Sequence, residues 1–358
     1  MQHLSRYQRQ LSLAEIGFDG QKKLQQAAVL CVGAGGLGSA VLFYLAAAGV
    51  GHIGIIDMDT VDESNLQRQI LFNEADIGQF KAQCAQRRLQ ALNSTIHITA
   101  YPQALDSANA GDFFKQYPLI IDATDNFTTK YLINDTAVSC NRPWIYGAIQ
   151  RFDGQVSLFD ASQGPCYRCL YPKPPQSPIQ NCADAGVIGT IAGLVGVTQA
   201  MQAIQWLVGH HQFTPLLGKL WLLNAKNMQT EILTMPKNSN CRVCGHAAVP
   251  IHSHRPVPLG HEVVELSVQQ IRQLAQVLFI DVREASEWRI GHIDGAKHYP
   301  LAQLMQGSTP LLPADKIIIV YCQQGIRSRQ AAQILKAQGI ANTIYNMDGG
   351  YEAWLGRC

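Results

Sequence analysis

Seven residues, Val32 to Gly38, read VGAGGLG, and no other stretch of the chain restricts its fold as strongly. They follow the apolar run AAVLCV and precede LGSAVLFYLAAAGV, whose apolar residues recur at helical spacing. HIGIIDMD then reads as a second strand. Strand, glycine turn, helix and strand in succession make a βαβ unit, which commits the chain to a parallel sheet covered by helices. Gly33, Gly35 and Gly38 have the spacing at which missing side chains let backbone amides approach a phosphate, while the helix N-terminus adds partial positive charge. Asp57, at the end of the next strand, stands where an acid meets ribose hydroxyls. On its own the turn does not separate NAD from ATP, and a tight turn without a ligand reads the same way.

Further units follow. KAQCAQRRLQALN reads as a helix, and HITAYPQ and YPLIIDATDN read as strands. WIYGAIQRFDGQVSLFD alternates around FDG, the pattern of an antiparallel hairpin, and KLWLLNAKNMQTEILTMP reads as two more strands. The prolines of GPCYRCLYPKPPQSP forbid regular structure and predict a crossover loop. Near the end a smaller α/β pattern starts again with LFIDVRE, KIIIVYCQQG and AAQILKAQG. At 358 residues, 47% of them hydrophobic, the chain can bury two cores. The expected architecture is a Rossmann-like, doubly wound and mainly parallel sheet over residues 1–250, a Pro/His-rich linker over 251–260 and a smaller α/β domain over 261–358.

The formal charge of +2 comes from balanced acids and bases with no basic block, so no nucleic-acid partner is expected. MQHLSRYQRQLSL lacks the apolar core of a signal peptide. Val187 to Val208 is long enough to span a bilayer, but Thr198, Gln199, Gln202 and Gln205 interrupt it. A buried helix, no membrane and a cytoplasmic setting are the expectation.

Ten cysteines in such a setting argue for metal or catalysis rather than disulfides. Cys166-x-x-Cys169 and Cys241-x-x-Cys244 can supply four thiolates around a structural Zn²⁺. The competing redox role is weakened because neither pair is expected to open a helix after a strand. His246, two residues past Cys244, reads as a surface histidine.

Around the glycine turn, Asn65 and Arg68 follow the strand that carries Asp57, and Lys81 begins the next helix. Cations there suit a triphosphate, whose developing charge must be stabilised during transfer at the α-phosphorus. Asp122, Asp125 and Asn126 of DATDN end another strand, and such oxygen ligands suit Mg²⁺. Either acid is also placed to cap the helix that follows.

Taken together, RYQRQ, VGAGGLGS, DMDTVDESNLQRQ, GQFKAQ, DATDN and the two cysteine pairs resemble the MoeB/ThiF family of ubiquitin-activating-like adenylyltransferases, over residues 1 to 250. The resemblance implies that ATP and Mg²⁺ activate the C-terminal glycine carboxylate of a ubiquitin-like sulfur carrier of the MoaD/ThiS type. It assigns Gly36, Asp57, Ser64, Asn65, Arg68, Lys81, Asp125 and Asn126 to the nucleotide site, with Asp125 as the magnesium ligand. Arg9 matches an arginine that reaches into the other subunit's site, which implies a homodimer. From the residues alone, Cys182 in NCADAGV is a loop cysteine beside Asp184, a neighbour that disfavours the thiolate. The resemblance matches it instead to a cysteine that bonds covalently to the activated carrier.

The tail supplies a second reactive group. In VYCQQGIRS, Cys322 ends a strand, and a short loop with Gly325 and Arg327 leads into a helix. The helix N-terminus, loop amides and Arg327 favour the sulfur anion, and the same cradle would hold a persulfide. A tyrosine phosphatase has a similar cysteine-to-arginine loop, so the loop alone leaves phosphate transfer open. The flanks LFIDVREASEWRIGHIDGAKHYPL and NMDGGYEAW resemble a rhodanese domain over residues 260 to 358, which implies that Cys322 carries sulfur. Asp281 and Arg283 read as organisers of the core and loop, and His292 and His298 as packing groups. A cysteine desulfurase or thiosulfate is the expected donor. Two other arrangements fit the motifs less fully: a nucleotide-binding oxidoreductase, or a carrier-docking module that does no chemistry, each fused to a thiosulfate sulfurtransferase.

Overall fold

The computed structural model describes residues 4–174, 186–245, 263–305, 310, 312–313, 315–340 and 342–356. Contacts divide the chain into two units, Met1–Ser253 and His254–Cys358. The expected linker, residues 251–260, lies outside the described residues, as do Cys182 and His246.

The first unit is built on an eight-stranded sheet. Its strands are β1 (Ala28–Val32), β2 (His52–Ile56), β3 (His97–Tyr101), β4 (Leu119–Asp122), β5 (Trp144–Gln150), β6 (Asp153–Phe159), β7 (Lys219–Asn224) and β8 (Gln229–Thr234), in spatial order 3-2-1-4-5-6-7-8. The strands from β3 through β5 pair in parallel and those from β5 through β8 antiparallel. The division follows the connections, because helices cross between the early strands while Arg151 and Phe152 alone separate β5 from β6. Arg151 sits at φ 55°, the left-handed turn conformation that a two-residue hairpin requires. The predicted hairpin at FDG and the two strands after residue 218 are therefore present. Chain order reverses between β1 and β4, the switch point at whose strand carboxyl ends open α/β sheets bind ligands.

Apolar cores lie on both sides of this sheet. One gathers Val29, Cys31, Val41 and Leu45 with Ile191 and Val195, and the other gathers Leu30, Ile120, Trp144 and Tyr167. The helix Gly189–Val208 is the one helix among the described residues long and apolar enough to cross a membrane. It buries one face in the first core, while Leu194, Val197 and Met201 on another face stay exposed. Its interrupting polar groups find hydrogen bonds inside the fold, although Gln199 Oε1 is buried without a partner. Gln199 Nε2 donates to the Asp122 carbonyl at 2.7 Å, Gln202 Oε1 accepts the Leu216 amide at 2.6 Å, and Thr198 Oγ1 donates to Leu194 O at 2.8 Å.

One expectation needs correction. The loop with prolines is not free of regular structure, because Tyr167–Leu170 forms a single helical turn with Cys166 at its N-cap. Pro165 stands before the N-cap and the other prolines begin at Pro172, beyond this turn, so nothing in CYRC itself opposes helix. Cys166 therefore does open a helix, contrary to the argument used against a redox pair.

The second unit carries a five-stranded, all-parallel sheet. Its strands are β9 (Glu265–Leu266), β10 (Val277–Asp281), β11 (Lys297–His298), β12 (Ile317–Tyr321) and β13 (Ile344–Met347), in order 11-10-12-13-9. Its central strand β12 is buried from Ile318 through Tyr321, and Cys322 follows directly. The helix Ile326–Ala337 begins three residues after the cysteine's loop partner Gln323.

Candidate functional sites

At the end of β1, Gly33 adopts φ 94°, and a Cβ there would come within 2.9 Å of the Ala123 carbonyl oxygen. A Cβ on Gly38 would collide with the Gly33 carbonyl, so the turn and the first turn of the following helix are in direct backbone contact. That helix, Gly36–Ala48, starts from Gly35 with no side-chain cap, leaving its first amides pointing out of the carboxyl end of β1. Only the Nε2 of Gln69 comes near a Cβ built at Gly35, at 3.7 Å.

The acid of β2 is oriented by this turn. Asp57 Oδ2 accepts the Ala34 amide at 2.7 Å and Oδ1 accepts the Asp59 amide at 2.9 Å. Burial pushes the Asp57 carboxyl above its usual range, and Lys81 and the Ala34 amide only partly offset that. Lys81 opens the helix Lys81–Leu92, its side chain 6% exposed, with Nζ 3.0 Å from Asp59 Oδ2. Ser64 and Asn65 lie on a short 3₁₀ turn, where Arg68 NH1 donates to the Ser64 carbonyl at 3.0 Å. No carboxylate among the described residues pairs with Arg68. Asn65 Oδ1 accepts from Gln69 Nε2 at 3.0 Å, and Gln69 Oε1 is buried without a hydrogen-bond partner. Gln69 and Asp59 were not singled out from the sequence; the QRQ run and the DMD triplet are the only signals that could have marked them.

After β4, Asp122, Asp125 and Asn126 of DATDN divide their roles differently from the expectation. Asp122 is fully buried, takes Thr124 N at 3.0 Å and Thr124 Oγ1 at 2.6 Å, and pairs with Lys130 at 2.7 Å. It is neither a cap nor an accessible metal ligand, because Lys130, eight residues on, claims its second oxygen. Asn126 is the cap of the helix Phe127–Ser139, accepting the Thr129 amide at 2.8 Å. Asp125 is exposed, and no hydrogen bond or ion pair among the described residues engages its carboxylate. Arg9 is exposed on the short helix Gln8–Leu11 and is likewise unpaired.

The two cysteine pairs meet. Sγ–Sγ distances are 3.7 Å for Cys166–Cys241, 3.4 Å for Cys169–Cys244 and 4.0 Å for Cys166–Cys169, and all four sulfurs lie within 4.8 Å of one another. A tetrahedron of thiolates about 2.3 Å from zinc has edges of roughly 3.8 Å, so the donor set fits that ion. Burial and the neighbouring sulfurs push the Cys166 thiol well up, and burial above all pushes the Cys244 thiol up to about 11. Four crowded sulfurs of this kind are the chemistry that a divalent cation neutralises.

In the second unit the Cys322 sulfur is 1% exposed at the residue level and takes two donors. These are the Gly325 amide at 3.2 Å and the Ser328 hydroxyl at 3.4 Å. Gly325 sits at φ 89° as the N-cap of Ile326–Ala337, which turns its amide back onto the sulfur. The helix Gly350–Trp354 backs the loop, with Tyr351 N donating to Cys322 O at 2.8 Å and a Cβ on Gly350 blocked by that carbonyl. Asp281 and Arg283 organise the loop: Arg283 is gripped by Asp281 and gives NH1 to Gln323 Oε1 at 3.0 Å. His292 and His298 both stack on Trp288, with ring centroids 3.5 and 4.8 Å away. Arg327 forms a two-pronged pair with Glu287, both contacts 2.7 Å, so its charge is matched by a carboxylate. Ser328, Glu287 and Glu352, each on a helix and bonded to the cysteine, to Arg327 or to the loop, were not singled out from the sequence.

Comparison with known proteins follows this division. Residues 7–243 match the ThiF family and residues 266–357 match the rhodanese-like domain. An adenylyltransferase/sulfurtransferase named MoeZ from Mycobacterium tuberculosis is 39% identical over 370 residues, covering 99% of this chain and 93% of that protein. The adenylyltransferase and sulfurtransferase MOCS3 of Drosophila persimilis is 35% identical over 380 residues, covering 99% and 83%. A sulfur carrier protein adenylyltransferase from Thermus thermophilus is 47% identical over 250 residues, covering 68% of this chain and 92% of its own. Among solved structures, Escherichia coli MccB bound to MccA-N7isoASN superposes with a TM-score of 0.59 at 22% identity, over 68% of this chain and 75% of that one, a likeness of fold.

Proposed function

The chain belongs to the ThiF family and carries a rhodanese-like domain after it, and on that premise we propose that it activates and then thiolates the C-terminal glycine of a ubiquitin-like sulfur carrier of the MoaD/ThiS type. The observation that supports this most is the presence in one chain of an uncapped glycine turn near an arginine without a carboxylate partner among the described residues, and of a buried cysteine held by two hydrogen-bond donors.

In the first unit, the Gly33–Gly38 amides with Gly36 would take the phosphates of ATP, and Asp57 the ribose. Arg68 and Lys81, steadied by Ser64 and Asn65, would stabilise charge developing at the α-phosphorus. Asp125, with Asn126 beside it, is the residue placed to hold Mg²⁺, which would neutralise charge on the leaving pyrophosphate. The carrier carboxylate attacks the α-phosphorus, pyrophosphate leaves, and the acyl-adenylate has a good leaving group in AMP. Arg9 would act from the partner protomer of a homodimer. The Cys166, Cys169, Cys241 and Cys244 cluster would hold Zn²⁺ as a structural tie.

In the second unit, the Gly325 amide and Ser328 hydroxyl would hold Cys322 and its persulfide. The outer sulfur attacks the activated carbonyl and expels AMP, giving an acyl disulfide. A second thiol, for which Cys182 is the candidate, attacks the Cys322 sulfur and releases the carrier thiocarboxylate. A Cys322–Cys182 disulfide remains, and a reductant must reopen it. Arg327 contributes by fixing the loop through Glu287. The chemistry suits a cytoplasmic setting, where a reductant is at hand.

The test uses the full chain with candidate carriers, ATP and a sulfur donor, followed by intact mass. Replacement of one carrier oxygen by sulfur is the expected result. Cys322→Ala should abolish thiocarboxylate formation while carrier-dependent ATP–pyrophosphate exchange persists. Loss of exchange in that variant, or an unchanged carrier mass with every candidate, would overturn the proposal.

A further inference from the structure

The charges around the Cys322 loop have an uneven arrangement. Arg283 is paired with Asp281, Arg327 with Glu287 and Arg329 with Glu265, so each arginine bordering the loop has a carboxylate of its own. Glu352 has no such partner among the described residues. Its two oxygens accept from neutral amides, Gln323 Nε2 at 3.1 Å and Gln324 Nε2 at 3.2 Å, and its own backbone amide donates to Gln323 O at 3.1 Å. Gln323 and Gln324 are the two residues that follow the cysteine. The three ion pairs cancel, and Glu352 is a negative charge without an ion-pair partner that is hydrogen-bonded to the loop carrying the reacting sulfur.

We propose that Glu352 is a specificity residue, which makes the Cys322 loop discriminate against dianionic sulfur donors and take sulfur from the monoanionic persulfide of an alkyl thiol. This rests on the reading of Cys322 as the sulfur carrier and names the donor class for it. With a persulfide, the Cys322 thiolate attacks the outer sulfur of R–S–S⁻. One S–S bond forms as another breaks, and R–S⁻ leaves with the electron pair, so no net oxidation occurs. With thiosulfate the same displacement yields the same Cys322 persulfide and expels sulfite. There the incoming donor and the leaving group are both dianions next to Glu352. Like-charge juxtaposition disfavours that route in approach and in departure, and salt weakens the effect. The persulfide route brings in and releases a single charge.

The experiment compares the native full-length chain with Glu352→Gln and Glu352→Lys. Glutamine keeps the length and an acceptor oxygen for the loop amides while removing the charge. Steady-state kcat and KM are measured for thiosulfate with cyanide as acceptor, at low and high salt. Sulfur uptake by Cys322 is followed by intact mass with free cysteine persulfide and with a persulfide-bearing cysteine desulfurase. The expected KM for thiosulfate falls about tenfold in Glu352→Gln and about a hundredfold in Glu352→Lys, and the thiosulfate-to-persulfide preference shifts in the same order. These differences narrow at high salt. Loading by both persulfide sources would support the general class, and loading by the desulfurase alone would support its protein-borne form. An unchanged KM in both variants, or thiosulfate and persulfide rates that move by one common factor, would overturn the inference, the latter marking a merely structural role. A native chain whose Cys322 gains no sulfur from any donor would instead overturn the sulfur-carrier reading, and that outcome is visible before any variant is made.

Discussion

At Gly33 and again at Gly325 the backbone past a buried parallel strand turns through a positive φ, 94° and 89°, next to the N-terminus of a long helix. The two turns share a backbone device and differ in what surrounds it. Beside the first, among the described residues, Arg68 bonds only to a backbone carbonyl and Asp125 has no hydrogen bond or ion pair, so neither charge is matched. Beside the second, every arginine is matched to a carboxylate and the cradle is filled by the chain's own sulfur. A helix N-terminus therefore does not specify its ligand. The balance of side-chain charge around it decides whether the site admits a polyanion from outside or stabilises an anion that is already part of the protein.

That contrast can be broken by exchanging roles. The largest expected effect is at Arg68, where Arg68→Gln should lower carrier-dependent ATP–pyrophosphate exchange by about 10²- to 10³-fold with the melting temperature nearly unmoved. A comparable loss of stability would mean that Arg68 is structural. Asp125→Asn comes next: exchange should fall about tenfold to a hundredfold, and the Mg²⁺ concentration for half-maximal rate should rise. Unchanged magnesium dependence would remove Asp125 from the metal's coordination.

In the second unit the order reverses, with stability responding more than ligand binding. Arg327→Gln strands the half-buried Glu287 and should cost about 1–2 kcal/mol at pH 7, read as a lower melting temperature of that unit. Burial pushes the Glu287 carboxyl up, but the Arg327 guanidinium outweighs it and the native value lies below the ordinary carboxylate range. The pair's contribution is therefore complete at neutral pH and is lost as pH falls through that native value, so the penalty should shrink in acid. A penalty that is the same at pH 7 and in strong acid would contradict the ion pair as its source. The smallest effect is at Ser328, where Ser328→Ala removes one of two donors to the sulfur and should slow Cys322 loading by about three- to tenfold.

Much of this was legible in the sequence because it depends on local pattern. VGAGGLG, the FDG hairpin and the strand–cysteine–loop–helix order are set by residues within a few positions of one another, and the structure has each of them. The two cysteine pairs announced each other through repeated spacing. What escaped depends on partners distant in sequence. Asp122 resembled a ligand acid until folding brought Lys130 and Thr124 to it. Arg327 resembled a free cation, yet Glu287 lies forty residues earlier. The missing partner of Gln69 Oε1 is visible only once its surroundings are buried. The turn at Tyr167–Leu170 was missed because nearby prolines were credited with more reach than their geometry has, since a proline constrains itself and the residue before it.

The four-sulfur cluster has a topological consequence. Cys166 and Cys241 are 75 positions apart, and the described stretch between them includes the long core helix and strands β7 and β8. With a metal bridging the sulfurs, that whole length becomes a closed ring. A protease that cuts the chain once inside the ring produces two fragments on a denaturing gel, yet in solution the metal tie adds to the β6–β7 ladder and the core helix in holding them as one particle.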